Sequence, residues 1–151
     1  MAVPALSAAH TICKLRDWSV SNLELQKILY IAHMIHLGET DGHPLINEKF
    51  EAWDYGPVSP EVYHYAKGFG NNPIPKVFHW IKSVVPGGKE FDLLKWSSEK
   101  TRDMKAAKLV SITHWKKGAW ARCYKPDSLG IEIPNNLILE EYCERQTRQD
   151  A

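Results

Sequence analysis

No run in this chain reaches the ~18 consecutive apolar residues that a bilayer span requires. The opening Met1 to His10 has neither a basic start nor a continuous apolar stretch, which argues against a secretory leader. Cysteine is scarce: Cys13, Cys123 and Cys143 are odd in number and widely spaced, so neither a disulfide framework nor a zinc knuckle is implied. An excess of one charge is also missing. The net charge of +1 gives no phosphate-binding field of the kind a dedicated DNA-binding domain carries. Internal repeats, low-complexity tracts and long linkers are absent. So are a glycine-rich phosphate cradle and a nucleophile elbow, because Gly56, Gly68 and Gly70 do not follow the strand-to-helix pattern those motifs need. These absences lead us to expect a cytoplasmic protein with one domain over residues 1–151, folding without metal, cofactor or disulfide.

What is present suits a globular fold. Aliphatic and aromatic residues make up 44% of the 151 residues and charged residues 25%, and a chain of this size buries roughly two thirds of its unfolded surface. Local patterns predict mainly helix. A first helix starts near Pro4, with Leu6, Ala9, Ile12, Cys13 and Leu15 as its apolar stripe, and closes at Trp18. Ser21 and Glu24 fit a capping box for a second helix running to Leu37, with Gly38 as its stop. That helix is apolar nearly all round, which places it at the centre of the domain.

Between Phe50 and Tyr55 apolar and polar positions alternate, permitting a short strand before Gly56-Pro57 bends the chain. Ser59 as N-cap, Pro60 in the first turn and Glu61 specify a third helix ending at Gly68 or Gly70. Ile74, Val77, Phe78 and Ile81 predict a short helix ended by Pro86-Gly87-Gly88. Residues 89–102 give no clear pattern. A helix follows over 104–115, then a small strand over Gly130 to Ile133, then a last helix capped by Asn135 or Asn136. In that helix Ile138, Leu139, Tyr142 and Cys143 face inward, and the polar tail from Glu144 to Ala151 frays. The expected fold is therefore a compact, mainly α domain around a buried central helix, with at most a small β-hairpin or short sheet.

Few residues suggest chemistry. His33 and His36 share a helix face at ligand spacing, and His114 would complete a metal-hydrolase set. The helical zinc-peptidase pattern places a Glu between its histidines, and here there is none, so they read as hydrogen-bonded core or edge residues. Cys13 and Cys143 fall on apolar stripes and read as small core residues. Lys116, Lys117, Arg122 and Lys125 form a local basic cluster flanked by Trp115, Trp120 and Tyr124, which suits a solvated face, an acidic partner or nucleic acid. In the aromatic turn, Trp53 and Tyr63 are expected to pack inward, while Tyr55 is left open between packing and an interface role.

Longer motifs carry more information. The chain contains Leu23, Leu25, Gln26, Lys27, Leu29 and Tyr30, then Glu51, Ala52 and Trp53, then Gly56, Pro57 and Val58, then Pro60, Val62 and Tyr63, and later Thr113, His114 and Trp120. In this order the residues resemble the antitoxin SocA-like Panacea domain, known also from phage-associated GepA proteins. Two departures stand out: Gly118-Ala119-Trp120 replaces a family Gly-Pro-Trp, and the segment between Gly88 and Met104 is short and altered.

The resemblance implies a mainly helical antitoxin without catalytic residues. Its expected partner is a cognate toxin encoded nearby, which it masks by direct contact or presents to a cytosolic protease. Nucleic acid and membrane are not expected partners. Exposed aromatic and cationic side chains next to helix ends suit interface anchors. The candidate partner-binding residues are Tyr55, Gly56, Pro57, Val58, His114, Trp120, Arg122 and Tyr124. The alternatives are a metal-dependent hydrolase using His33, His36 and His114, and a DNA-binding regulator using the basic cluster.

Overall fold

The computed structural model describes the backbone of residues 1–150 and the side chains of residues 1–148. Seven α-helices and a three-stranded antiparallel sheet appear among the described residues, so the expected mainly α fold with a short sheet is borne out. Helix α1 (Ala5–Leu15) leads to α2 (Asn22–Glu39), followed by β1 (Phe50–Trp53), β2 (Gly56–Val58) and α3 (Pro60–Ala66), which tightens into a 3-10 turn over Lys67–Phe69. After an irregular stretch come α4 (Lys89–Lys100), α5 (Ala106–Thr113), α6 (Ala119–Cys123), β3 (Glu132–Ile133) and α7 (Asn135–Asp150).

Helix α2 is the axis of the fold. Ser21 Oγ accepts from Glu24 N at 3.3 Å and Glu24 Oε1 accepts from Ser21 N at 2.9 Å, so the predicted capping box satisfies two otherwise unpaired donors at the helix start. From Leu25 to Leu37 every residue except Ile35 is buried. Around this rod pack α1, α3, α4, α5, α7 and strand β2. Gly38 does not stop the helix. It lies inside α2, where a Cβ would come within 2.0 Å of the Tyr142 ring of α7, so its role is to let α7 approach. The helix ends instead at Thr40, where Asp41 adopts a left-handed φ of 54° and Gly42 N returns a hydrogen bond to Leu37 O at 2.8 Å.

Other expectations need correction. Ile74 to Ile81 forms turns and no helix, because Pro73 and Pro75 interrupt the backbone donors and Ile74 N bonds across to Val20 O at 2.8 Å. Ile74 and Phe78 are nonetheless fully buried. The segment without a clear pattern, 89–102, is mostly the ordered helix α4. Neither Asn135 nor Asn136 caps α7, since the helix already begins at Asn135, whose side-chain oxygen accepts from His33 at 3.0 Å. Cys143 is exposed, while Cys13 is buried as expected. The last helix spans Glu144 to Asp150 as well, and within it Arg145 donates to Glu141 and to Ile112 O. The final residue of the expected frayed tail, Ala151, lies outside the described residues.

Strands β1 and β2 form a hairpin across the two-residue turn Asp54-Tyr55, with Trp53 opposite Gly56, and β3 pairs on the other side of β1. This hairpin leans on the N-terminal half of α2 and on the connection between α5 and α6.

Candidate functional site: the hairpin latch and its cleft

The residue types that recur in the sequence motif meet at one place. Strand β2 is a sheet edge, and an open edge leaves backbone groups unpaired. Two side chains of α2 close it. Gln26 pairs with the backbone of Ser59, its Oε1 accepting from Ser59 N at 2.7 Å and its Nε2 donating to Ser59 O at 3.3 Å. Lys27 Nζ donates to Pro57 O at 3.1 Å. Pro57 has no amide hydrogen to leave unpaired. The adjacent pair Gln26-Lys27 therefore latches the strand to the central helix.

Lys27 has no exposed surface and no carboxylate within ion-pairing distance among the described residues. Burial without such compensation pulls its pKa from the ordinary 10.5 down to about 7. Gly56, at φ 114°, fits between this amine and His114: a Cβ there would lie 2.9 Å from Lys27 Nζ and 3.2 Å from His114 Cδ2. The His114 ring stacks on Trp120 with centroids 3.9 Å apart and planes at 6°, and Trp120 stacks on Tyr124 at 4.8 Å and 19°. Trp120 Nε1 donates to Trp53 O at 2.7 Å, and Tyr124 OH donates to Asp54 Oδ1 at 2.5 Å. Burial lowers the His114 pKa; the Tyr55 backbone opposes that shift and Lys27 reinforces it. His114 Nε2 is buried without a hydrogen-bond partner.

Of the candidate interface residues, Gly56, Pro57 and Val58 are buried within the latch, whereas Tyr55 and Arg122 are exposed. His114, Trp120 and Tyr124 are half-buried and present one stacked edge. Trp53 and Tyr63 pack edge-on against each other, with centroids 4.7 Å apart, and remain half-buried. Sequence reasoning missed the cleft beside the hairpin, of about 670 Å³, between α2, the hairpin and the end of α3. Its walls include Leu23, Tyr63, Lys67 and Leu129. A signal existed for Leu129, a lone large aliphatic residue in a stretch from Lys125 to Gly130 that contains Pro126 and ends in glycine.

Behind the stacked ladder, Glu141 is a second organising residue that the sequence did not announce. It is 2% exposed and accepts from Tyr30 OH at 2.6 Å, Ala119 N at 3.0 Å and Arg145 Nε at 2.9 Å. The bond from Ala119 uses an amide hydrogen that the family proline at this position would lack. Gly118 leaves room for the carboxylate, which a Cβ would approach to 3.0 Å.

The histidines do not assemble into a metal set. His33 uses both ring nitrogens, Nδ1 accepting from Ile46 N at 3.2 Å and Nε2 donating to Asn135 Oδ1 at 3.0 Å. His36 donates through Nδ1 to His43 O at 2.7 Å, and His114 belongs to the hairpin latch. Among the described residues no three His, Cys, Asp or Glu side chains are grouped so as to hold a metal ion. In the basic cluster, Arg122 pairs with Glu140 at 3.1 Å and Lys117 with Glu144 at 3.9 Å, so α7 offsets two of the four cations. Among the described residues no helix is long and apolar enough to cross a membrane.

A latch of this composition, joining α2, the hairpin and the α5–α6 connection, coincides with the region matched by a family model. Residues 25–121 match the antitoxin SocA-like, Panacea domain, and the chain belongs to that family. It is similar to Antitoxin SocA of Caulobacter vibrioides (strain NA1000 / CB15N), with 34% identity over 113 residues covering 69% of this chain. The aligned region spans 60% of the length of that relative. No solved structure matches the chain.

Proposed function

We propose that this protein is an antitoxin acting in the cytoplasm as one domain, neutralising a toxin encoded nearby by direct contact, without catalysis of its own. Family membership supplies the antitoxin role in general terms. The observation that carries the contact mechanism is the division of labour within the family motif. Gln26, Lys27, Gly56, Pro57 and Val58 are spent on holding the hairpin, which leaves Tyr55 projecting at its tip with 70% of its surface exposed. An exposed aromatic side chain on an anchored hairpin is a residue type suited to an interface anchor. The edge of the His114–Trp120–Tyr124 ladder adjoins the hairpin turn through the bond from Tyr124 to Asp54, and Arg122 on α6 is the further candidate. Delivery of the bound toxin to a cytosolic protease is compatible with this surface and would use a second face.

The test is co-expression of the neighbouring gene product with Tyr55→Ala, Trp120→Ala and Arg122→Ala variants that retain the helical circular dichroism signal. The reading expects the unmodified protein to protect cells and at least one variant to lose protection and co-purification. Full protection by all three would move the interface off this surface. Failure of the unmodified protein to protect would remove the antitoxin reading for that pair.

A further inference from the structure

The cleft beside the hairpin has features that the latch does not use. Two large apolar side chains with little contact of their own, Tyr55 (70% exposed) and Leu129 (99% exposed), both stand on its rim. Isolated exposed apolar residues are ordinary, but two framing one concavity mark a binding surface. Its inner wall is apolar where Leu23, Val58 and Tyr63 contribute.

Three charged residues line the cleft, the exposed Lys67 and Asp54 and the fully buried Lys27. Lys67 is exposed at its mouth and has no carboxylate within ion-pairing distance among the described residues, and Lys27 lies behind its wall. The only acid in the lining, Asp54, has an oxygen engaged by the Tyr124 hydroxyl at 2.5 Å. An apolar slot with a free cation at its entrance complements an apolar side chain next to a negative charge.

We infer that this cleft receives an extended segment of the partner protein, seating a large apolar side chain against Leu23 and Tyr63 while a neighbouring carboxylate meets Lys67. The inference rests on the direct-contact reading above and adds the chemistry of what is contacted. Tyr55 and Leu129 close over the apolar group from either side. Lys27 acts as a positioning residue that keeps the β2 wall in place and does not itself bind the segment.

The experiment uses the full chain, the intact neighbouring gene product, and an array of short peptides tiling that product. Bound peptides are expected to carry Asp or Glu within two residues of a large apolar side chain. Lys67→Glu should weaken their binding about fivefold or more. Exchanging the peptide acid for Lys should weaken binding to the unmodified protein and restore it to Lys67→Glu, a reciprocal effect that a folding defect cannot produce. Leu129→Asp, in an exposed loop, should also weaken binding while leaving the thermal midpoint unchanged. If the intact product co-purifies but no tiled peptide binds, or if the bound peptides lack an acid or ignore Lys67→Glu, the cleft inference falls and the direct-contact reading stands. If the intact product does not co-purify with the unmodified protein, both fall.

Discussion

Lys27 and Gly56 fit each other through an absence: the buried amine occupies the space into which any side chain at position 56 would project. A Cβ there would meet Nζ at 2.9 Å, on a backbone whose φ of 114° already disfavours L side chains. Gly56→Ala is therefore expected to cost about 1 to 3 kcal/mol. Chemical denaturation should show a lower midpoint with an unchanged slope. An unchanged midpoint would mean that hairpin and helix are not held this closely.

The same lysine gives the fold a pH dependence. Its pKa in the folded protein, about 7, lies below its ordinary value of 10.5. Between these values the unfolded chain holds the extra proton, so stability rises with pH through this window and is lower at and below pH 7. Each bound-proton difference contributes at most about 1.4 kcal/mol per pH unit. Stability measured from pH 7 to 9 should climb in the unmodified protein and stay flatter in Lys27→Met. The window stops at pH 9 because Cys13, whose thiol is pushed up to about 12 by burial, acts in the opposite direction above that point.

Gly38 faces Tyr142 in the same manner, across the contact between α2 and α7. Gly38→Ala should destabilise by about 1 to 3 kcal/mol through overpacking. In a Tyr142→Ala background the sign should reverse, since Ala exceeds Gly in helix propensity by roughly 1 kcal/mol. A double-mutant cycle by denaturation checks this, and simple additivity would contradict the close approach.

His33 should remain neutral well below the usual histidine range. Burial lowers its pKa from 6.5 to about 4, outweighing the hydrogen bond it donates to Asn135, and protonation would remove the acceptor that Ile46 N uses. The unfolded chain takes up this proton first, so stability declines as pH falls from 6.5 towards 4. Nitrogen NMR of the imidazole at pH 5 should show the neutral tautomer protonated at Nε2. A charged ring at that pH would contradict the assignment.

The elements legible in the sequence were those specified by neighbouring residues. Ser21 with Glu24, Pro60 behind Ser59, and the alternation from Phe50 to Tyr55 each encode a boundary or a face within a few positions. Helix α4 was hidden because its buried face is partly polar: Ser97 and Ser98 are fully buried, and Ser98 Oγ and Thr101 Oγ1 bond back to helix carbonyls at 2.8 and 2.7 Å. Hydrophobic periodicity does not register such a face. Gly38 was misread because a helix stop and a helix contact use the same residue. Glu141 and the cleft depend on partners such as Tyr30, 111 positions away, and no local pattern encodes such a meeting.

The site was legible as a motif, but the roles of its residues were not. Gln26, Lys27 and Gly56 belong to the ordered motif that Tyr55 adjoins, yet only the fold separates the buried latch from the exposed tip.

The central proposal is direct contact with a toxin encoded nearby, and light scattering coupled to size exclusion of this protein and the purified neighbouring gene product tests it most directly. The account predicts a complex of defined mass that forms without nucleic acid or nucleotide, with the toxin's activity suppressed in the same fractions. Two separate peaks at concentrations where this protein still suppresses the toxin would contradict it.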